Sequence, residues 1–122
     1  MIFRIKKDVL EGIIEAVKNT YPREFFALLG SSNDKIIDEI IVVPAIYGST
    51  HVLIKSNLIP FDSKIVGSVH SHPIGLPKPS TEDLRHFSNF GDVHLIISWP
   101  FSIDSIKAYD VHGKEIELVI VE

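Results

Sequence analysis

The chain has 122 residues, 12 Lys+Arg against 16 Asp+Glu for a formal net charge of −4, a hydrophobic share of 45% and no cysteine. That length predicts one domain spanning residues 1–122, with enough apolar side chains for a single core. The acidic balance argues against a general nucleic-acid binder, whose affinity would rest on a basic surface. The missing cysteines exclude disulfides, thiolate catalysis and Cys-type zinc sites, so any metal must be held by His, Asp or Glu.

In chain order, "IFRIKK" alternates apolar and polar residues and predicts a short strand. In "DVLEGIIEAVKNTYP", Leu10, Ile13, Ile14 and Val17 fall on one face of an amphipathic helix. Asp8 and Glu11 read as its N-terminal cap, and Pro22 stops it near Tyr21. "EFFALLG", Glu24 to Gly30, reads as a buried strand opened by a charge, and "SSND" as a turn. "KIIDEIIVVP" reads as one Ile/Val-rich strand, broken by "AIYGST", with "HVLIK" as another short strand. "SKIVGSVHSHP" is a further strand, "PIGLPKP" a stiff loop and "STEDLRHFSNF" a short helix. Three strands close the chain: "DVHLIISWP", "SIDSIKAYDV" and "KEIELVIVE", the last alternating at Ile116, Leu118 and Ile120. Strands outnumber helices, which predicts an α/β domain with one central mixed sheet flanked by helices. No apolar run approaches the ~20 residues of a membrane span. The first residues lack the order of a signal peptide, which with the missing cysteines predicts a cytoplasmic protein with no membrane partner.

The chemistry concentrates in "GSVHSHPIGLPKPSTEDLRHF". In an extended chain His70 and His72 point to the same side, with Cα atoms about 7 Å apart, so their imidazoles can converge on one ion. Asp83, in the first turn of the next helix, is the nearest well-placed carboxylate. Two His and one carboxylate leave one tetrahedral position open, which separates catalytic from structural zinc. A structural alternative stands beside this: Ser80 and Asp83 also read as the N-cap and N3 positions of a capping box, and the two roles are compatible. His86, one turn after Asp83, is expected on the surface or in packing. His94 is expected in the sheet, Trp99 in core or rim packing, and His51 and His112 in turns.

His70-Ser71-His72, seven residues to Pro79, then Ser80-Thr81-Glu82-Asp83 resembles the JAMM motif of the MPN+ metalloprotease family. The family also has a glutamate opening an apolar strand after the first helix, and Glu24 in "YPREFFALLG" holds that place. The resemblance implies a cytidine-deaminase-like α/β fold and one zinc per chain, with His70, His72 and Asp83 as ligands. It further implies a zinc-activated water, Glu24 as general base and then acid, and Ser80 steadying the oxyanion. The implied reaction is hydrolysis of a peptide or isopeptide bond after the C-terminal tail of a ubiquitin-like protein. That protein or its conjugate is the implied partner. The chain departs from the family at Ala27, where glycine is common. It shows no long insertion of the kind that shapes ubiquitin binding in eukaryotic deubiquitinases, which points to a prokaryotic form acting on small modifiers or sulfur carriers. Two alternatives carry different chemistry: a zinc hydrolase of the same fold acting on free peptides or small molecules, and a non-catalytic MPN scaffold.

Overall fold

A computed structural model describes residues 2–32, 36–42, 45–47, 52–54, 64–74, 78–87 and 89–122. The first strand, β1 (Ile2–Lys6), runs straight into α1 (Lys7–Thr20). That continuity changes the expected cap. The N-cap is Lys6 with no side-chain bond, and Asp8 lies inside the first turn, its Oδ1 accepting from the Val9 N–H at 2.8 Å. A carboxylate there still complements the helix dipole. Val9, Leu10, Ile13 and Val17 are buried along the inward face, and Ile14 packs beside them.

After α1 come β2 (Phe26–Gly30), β3 (Ile36–Ile37) and β4 (Glu39–Ile41). The strand opened by Glu24 therefore starts two residues later than expected. The expected single strand over "KIIDEIIVVP" is two. The hairpin β5 (Ala45–Tyr47) and β6 (Val52–Ile54) forms a separate two-stranded sheet, so "AIY" is strand and not a break. Then follow β7 (Ile65–His72), α2 (Thr81–Phe87), β8 (Val93–Ser98), a 3-10 turn at Ile103–Ser105, β9 (Ile106–Tyr109) and β10 (Glu115–Val121). In β10, Ile116 and Leu118 pack on the core as expected, whereas Ile120 is exposed.

The main sheet has eight strands in the order β3-β1-β10-β9-β8-β7-β2-β4. β3 lies at one edge, parallel to β1, and β4 at the other, antiparallel to β2. Only Asp38 separates them in sequence. One residue bridges at most about 7 Å, so the two edges of the sheet must meet. The sheet curls round α1, and Gly12 of α1 approaches Ile40 of β4. Phe3, Ile5, Ala27, Leu29, Val69, Leu95 and Ile97 line the inner face against the helix. On the outer face α2 docks through Phe87, which clusters with Ile96 and Tyr109.

β7 sits between β2 and β8 and is covered on both faces. It pairs antiparallel with β2, Phe26 opposite His70, and parallel with β8, His70 beside Ile96 and His72 beside Ser98. Gly67 starts this arrangement: a Cβ there would lie 1.6 Å from the Val93 carbonyl oxygen, so only glycine permits the close approach of β7 to β8. The first helix, the short second helix and the mixed sheet match the expected α/β architecture.

Candidate metal centre

His70 and His72 leave the end of β7 on the face covered by α2, and Asp83 comes down from the first turn of α2. The three converge. His70 Nε2 lies 3.1 Å from His72 Nε2 and 3.1 Å from Asp83 Oδ1, and His72 Nε2 lies 3.2 Å from Asp83 Oδ2. These side chains are largely shielded, at 8%, 15% and 18% exposure. Donors held 2.0–2.1 Å from one tetrahedral zinc ion lie about 3.3–3.4 Å from each other. The observed separations are close to that, and the donor set is two imidazole nitrogens and one carboxylate. The group fits one zinc ion. It is the only such His/Asp/Glu group among the described residues.

The electrostatics point the same way. Burial pushes the Asp83 carboxyl up. The hydrogen bonds from His70 and His72, the charge of His70 and the Ser80 N–H together outweigh that, holding it well below the usual carboxylate range. Asp83 is therefore ionised at neutral pH, the state a ligand needs.

Ser80 and Asp83 also form the reciprocal capping pair. Ser80 N–H donates to Asp83 Oδ2 at 2.7 Å, and Asp83 N–H donates to Ser80 Oγ at 3.1 Å. Ser80 Oγ thus accepts in the cap, and since a hydroxyl has two lone pairs and one proton, its O–H is still there to donate. One carboxylate thus starts α2 and faces both histidines.

Glu24 is half-buried, two residues before β2. Ser71 N–H donates to the Phe25 carbonyl at 3.0 Å, which continues the pairing past Phe26 and His70. Glu24 directly precedes this contact in the chain. A second contact fixes this approach: Phe25 N–H donates to Ser71 Oγ at 2.8 Å. Ser71, fully buried between the two histidines, was not among the expected site residues. The signal for it is a hydroxyl alternating with Val69 on a core-facing side, because a buried polar group is hydrogen-bonded.

The other histidines divide. His94 is a sheet residue as expected, but fully buried and doubly hydrogen-bonded. His112 lies in a turn, its N–H donating to Asp110. His51 and the His86 side chain lie outside the described residues. Trp99 is 62% exposed just after Ser98, the residue beside His72, rather than packed. Ala27, at the position where glycine was noted, is buried opposite Val69.

Residues 6–112 match the family described as prokaryotic homologues of the JAB domain. A curated relative, a probable metalloprotease of Haloferax volcanii, is 30% identical over 97% of this chain and 79% of its own length. A JAB1/MPN domain protein from Archaeoglobus fulgidus has a similar structure, with TM-score 0.80 and 38% identity over 98% of this chain and 100% of that one. A structure described as JAMM, a metalloprotease-like zinc site in the proteasome and signalosome, gives TM-score 0.79 and 36% identity over both full chains. A Desulfitobacterium hafniense protein at 20% identity and TM-score 0.61 shares the fold, with 100% of this chain and 94% of that one covered. Given the two histidines and the aspartate at JAMM spacing on this α/β sheet, the chain belongs to the JAMM/MPN family as a small prokaryotic-type member.

Proposed function

We propose that the chain is a single-domain zinc metalloprotease that hydrolyses a peptide or isopeptide bond following the C-terminal tail of a ubiquitin-like protein. The observation that carries it is the convergence of His70, His72 and Asp83 at 3.1–3.2 Å. In this reading those three residues hold the metal. Zinc bound there would polarise a carbonyl and bring the pKa of a bound water towards ~7.

The remaining steps belong to the chain's own residues. In this reading Glu24, which precedes the Phe25–Ser71 contact, takes the proton of the attacking water and returns it to the departing amine. The Ser80 hydroxyl, with its oxygen fixed in the cap, turns its proton to the developing oxyanion. Losing one such donor costs about 10²–10³ in rate. A Gly-Gly tail suits the approach, because glycine lets substrate backbone come close to the sheet end. Exposed Trp99 and Ile74, flanking the ends of β8 and β7, would bound that path.

The test compares turnover of a Gly-Gly-tailed protein conjugate with that of a short unrelated peptide and of the same conjugate with a bulky tail. The reading expects clear preference for the Gly-Gly conjugate. Equal rates on all three would remove the ubiquitin-like specificity, and no hydrolysis by zinc-loaded protein would remove the protease.

A further inference from the structure

We propose that His94 is a positioning residue for the His70–His72–Asp83 site: its buried ring is the platform on which Phe87 docks α2, and α2 delivers Asp83 to the two histidines. This rests on the zinc reading above and adds to it a residue outside the motif.

His94 is held on three sides. Its Nε2–H donates to the Gly91 carbonyl at 2.9 Å, which fixes the tautomer. Its Nδ1 is then the acceptor for the Ser68 hydroxyl at 2.7 Å. The Phe87 ring lies parallel to it, centroids 4.1 Å apart and planes 2° from coplanar. Each partner belongs to a part of the site. Ser68 pairs with His94 across β7 and β8 and shares its face of β7 with His70 and His72. Phe87 lies four residues after Asp83, one helical turn along the same side of α2. Gly91 stands in the connection back to β8 with φ +118°, and a Cβ there would lie 2.3 Å from the Val66 carbonyl oxygen, so its own carbonyl has little freedom.

α2 has seven residues, far below the length at which a helix holds itself in water. Its placement depends on what Phe87 rests on, namely Ile96, Tyr109 and the His94 ring. An apolar ring at position 94 would stack as well and cost less to bury. It could not lock its own plane, and it would strand the Ser68 hydroxyl and the Gly91 carbonyl. Burial brings the His94 imidazole down to about 4, so it is neutral, as this bonding requires.

The test measures zinc affinity by competition with a chromophoric chelator, and thermal unfolding of the zinc-free protein, for wild type, His94→Ala, His94→Phe, Ser68→Ala and Val17→Ala. Val17 is buried on α1, across the sheet from the site. Both His94 variants should bind zinc about tenfold or more weakly, in the range seen when supporting partners of ligands are removed. Ser68→Ala should move in the same direction by less. Val17→Ala should lower the unfolding temperature and leave zinc affinity unchanged. Wild-type affinity in a folded His94 variant overturns the proposal, as does an equal loss in Val17→Ala. If His94→Ala does not fold, His94→Phe, which keeps the ring, decides alone. A wild type that binds no zinc overturns the zinc reading and this proposal together, whereas zinc-binding wild type with unaffected variants overturns only this one.

Discussion

Individual residues divide by what their loss removes. A ligand change takes metal and activity together, so His70→Ala or Asp83→Ala should lower bound zinc sharply and abolish turnover, checked by elemental analysis beside a cleavage assay. Glu24→Gln keeps shape and hydrogen bonding but cannot accept a proton. Its zinc content should stay near wild type while turnover falls by about 10² or more. Retained activity would place the base elsewhere. Ser71→Ala leaves the buried Phe25 N–H without its 2.8 Å acceptor, which should cost about 1–3 kcal/mol in chemical denaturation. Because Phe25 carries Glu24, turnover should fall more than zinc content does. His70, His72, Asp83 and Ser80 were legible because their spacing is local: strand alternation, a loop of fixed length and a helix start. Ser71 was not, since its partner lies 46 residues away and is brought there only by pairing of β2 with β7.

Among elements, α2 and its bed on β8 depend most on one buried titratable group. His94 is neutral in the fold, its imidazole lowered from 6.5 to about 4 by burial, against a smaller upward pull from the Gly91 carbonyl. The unfolded chain therefore takes up this proton first as pH falls. The contribution is fully present above pH 6.5 and is lost between 6.5 and about 4. At 1.36 kcal/mol per unit it amounts to about 3 kcal/mol. Denaturant titrations of zinc-free protein across that interval should show this loss in wild type, and His94→Phe should show a slope shallower by that amount. Identical slopes would mean that His94 is charged or exposed in the fold. Elements with a clear period, such as α1 and β1, were readable from sequence, and β7 and β8 from their apolar runs. The division of "KIIDEIIVVP" was not. Asp38 and Glu39 interrupt its Ile and Val residues with no Gly or Pro to mark a break, and only the curl of the sheet makes Asp38 the crossing from one edge to the other.

At the scale of the whole molecule, the curled sheet separates stability from chemistry. α1 fills the inside of the curl, whereas the outer face carries the donors. Ile13→Ala, at a fully buried position on α1, should cost about 2–5 kcal/mol of stability. Its effect on zinc affinity should be small, as read by chelator competition on the folded fraction. Fold class was readable because strands and helices announce themselves locally. The closure of the sheet was not, because it depends on pairings between distant segments. The activity of the whole site turns on one ion at one place. Elemental analysis of purified protein, reconstituted with zinc and freed of excess in a non-chelating buffer, measures this directly. One zinc per chain in wild type, and a large loss in His70→Ala, is the predicted result. A folded wild type that stays metal-free under those conditions would contradict it.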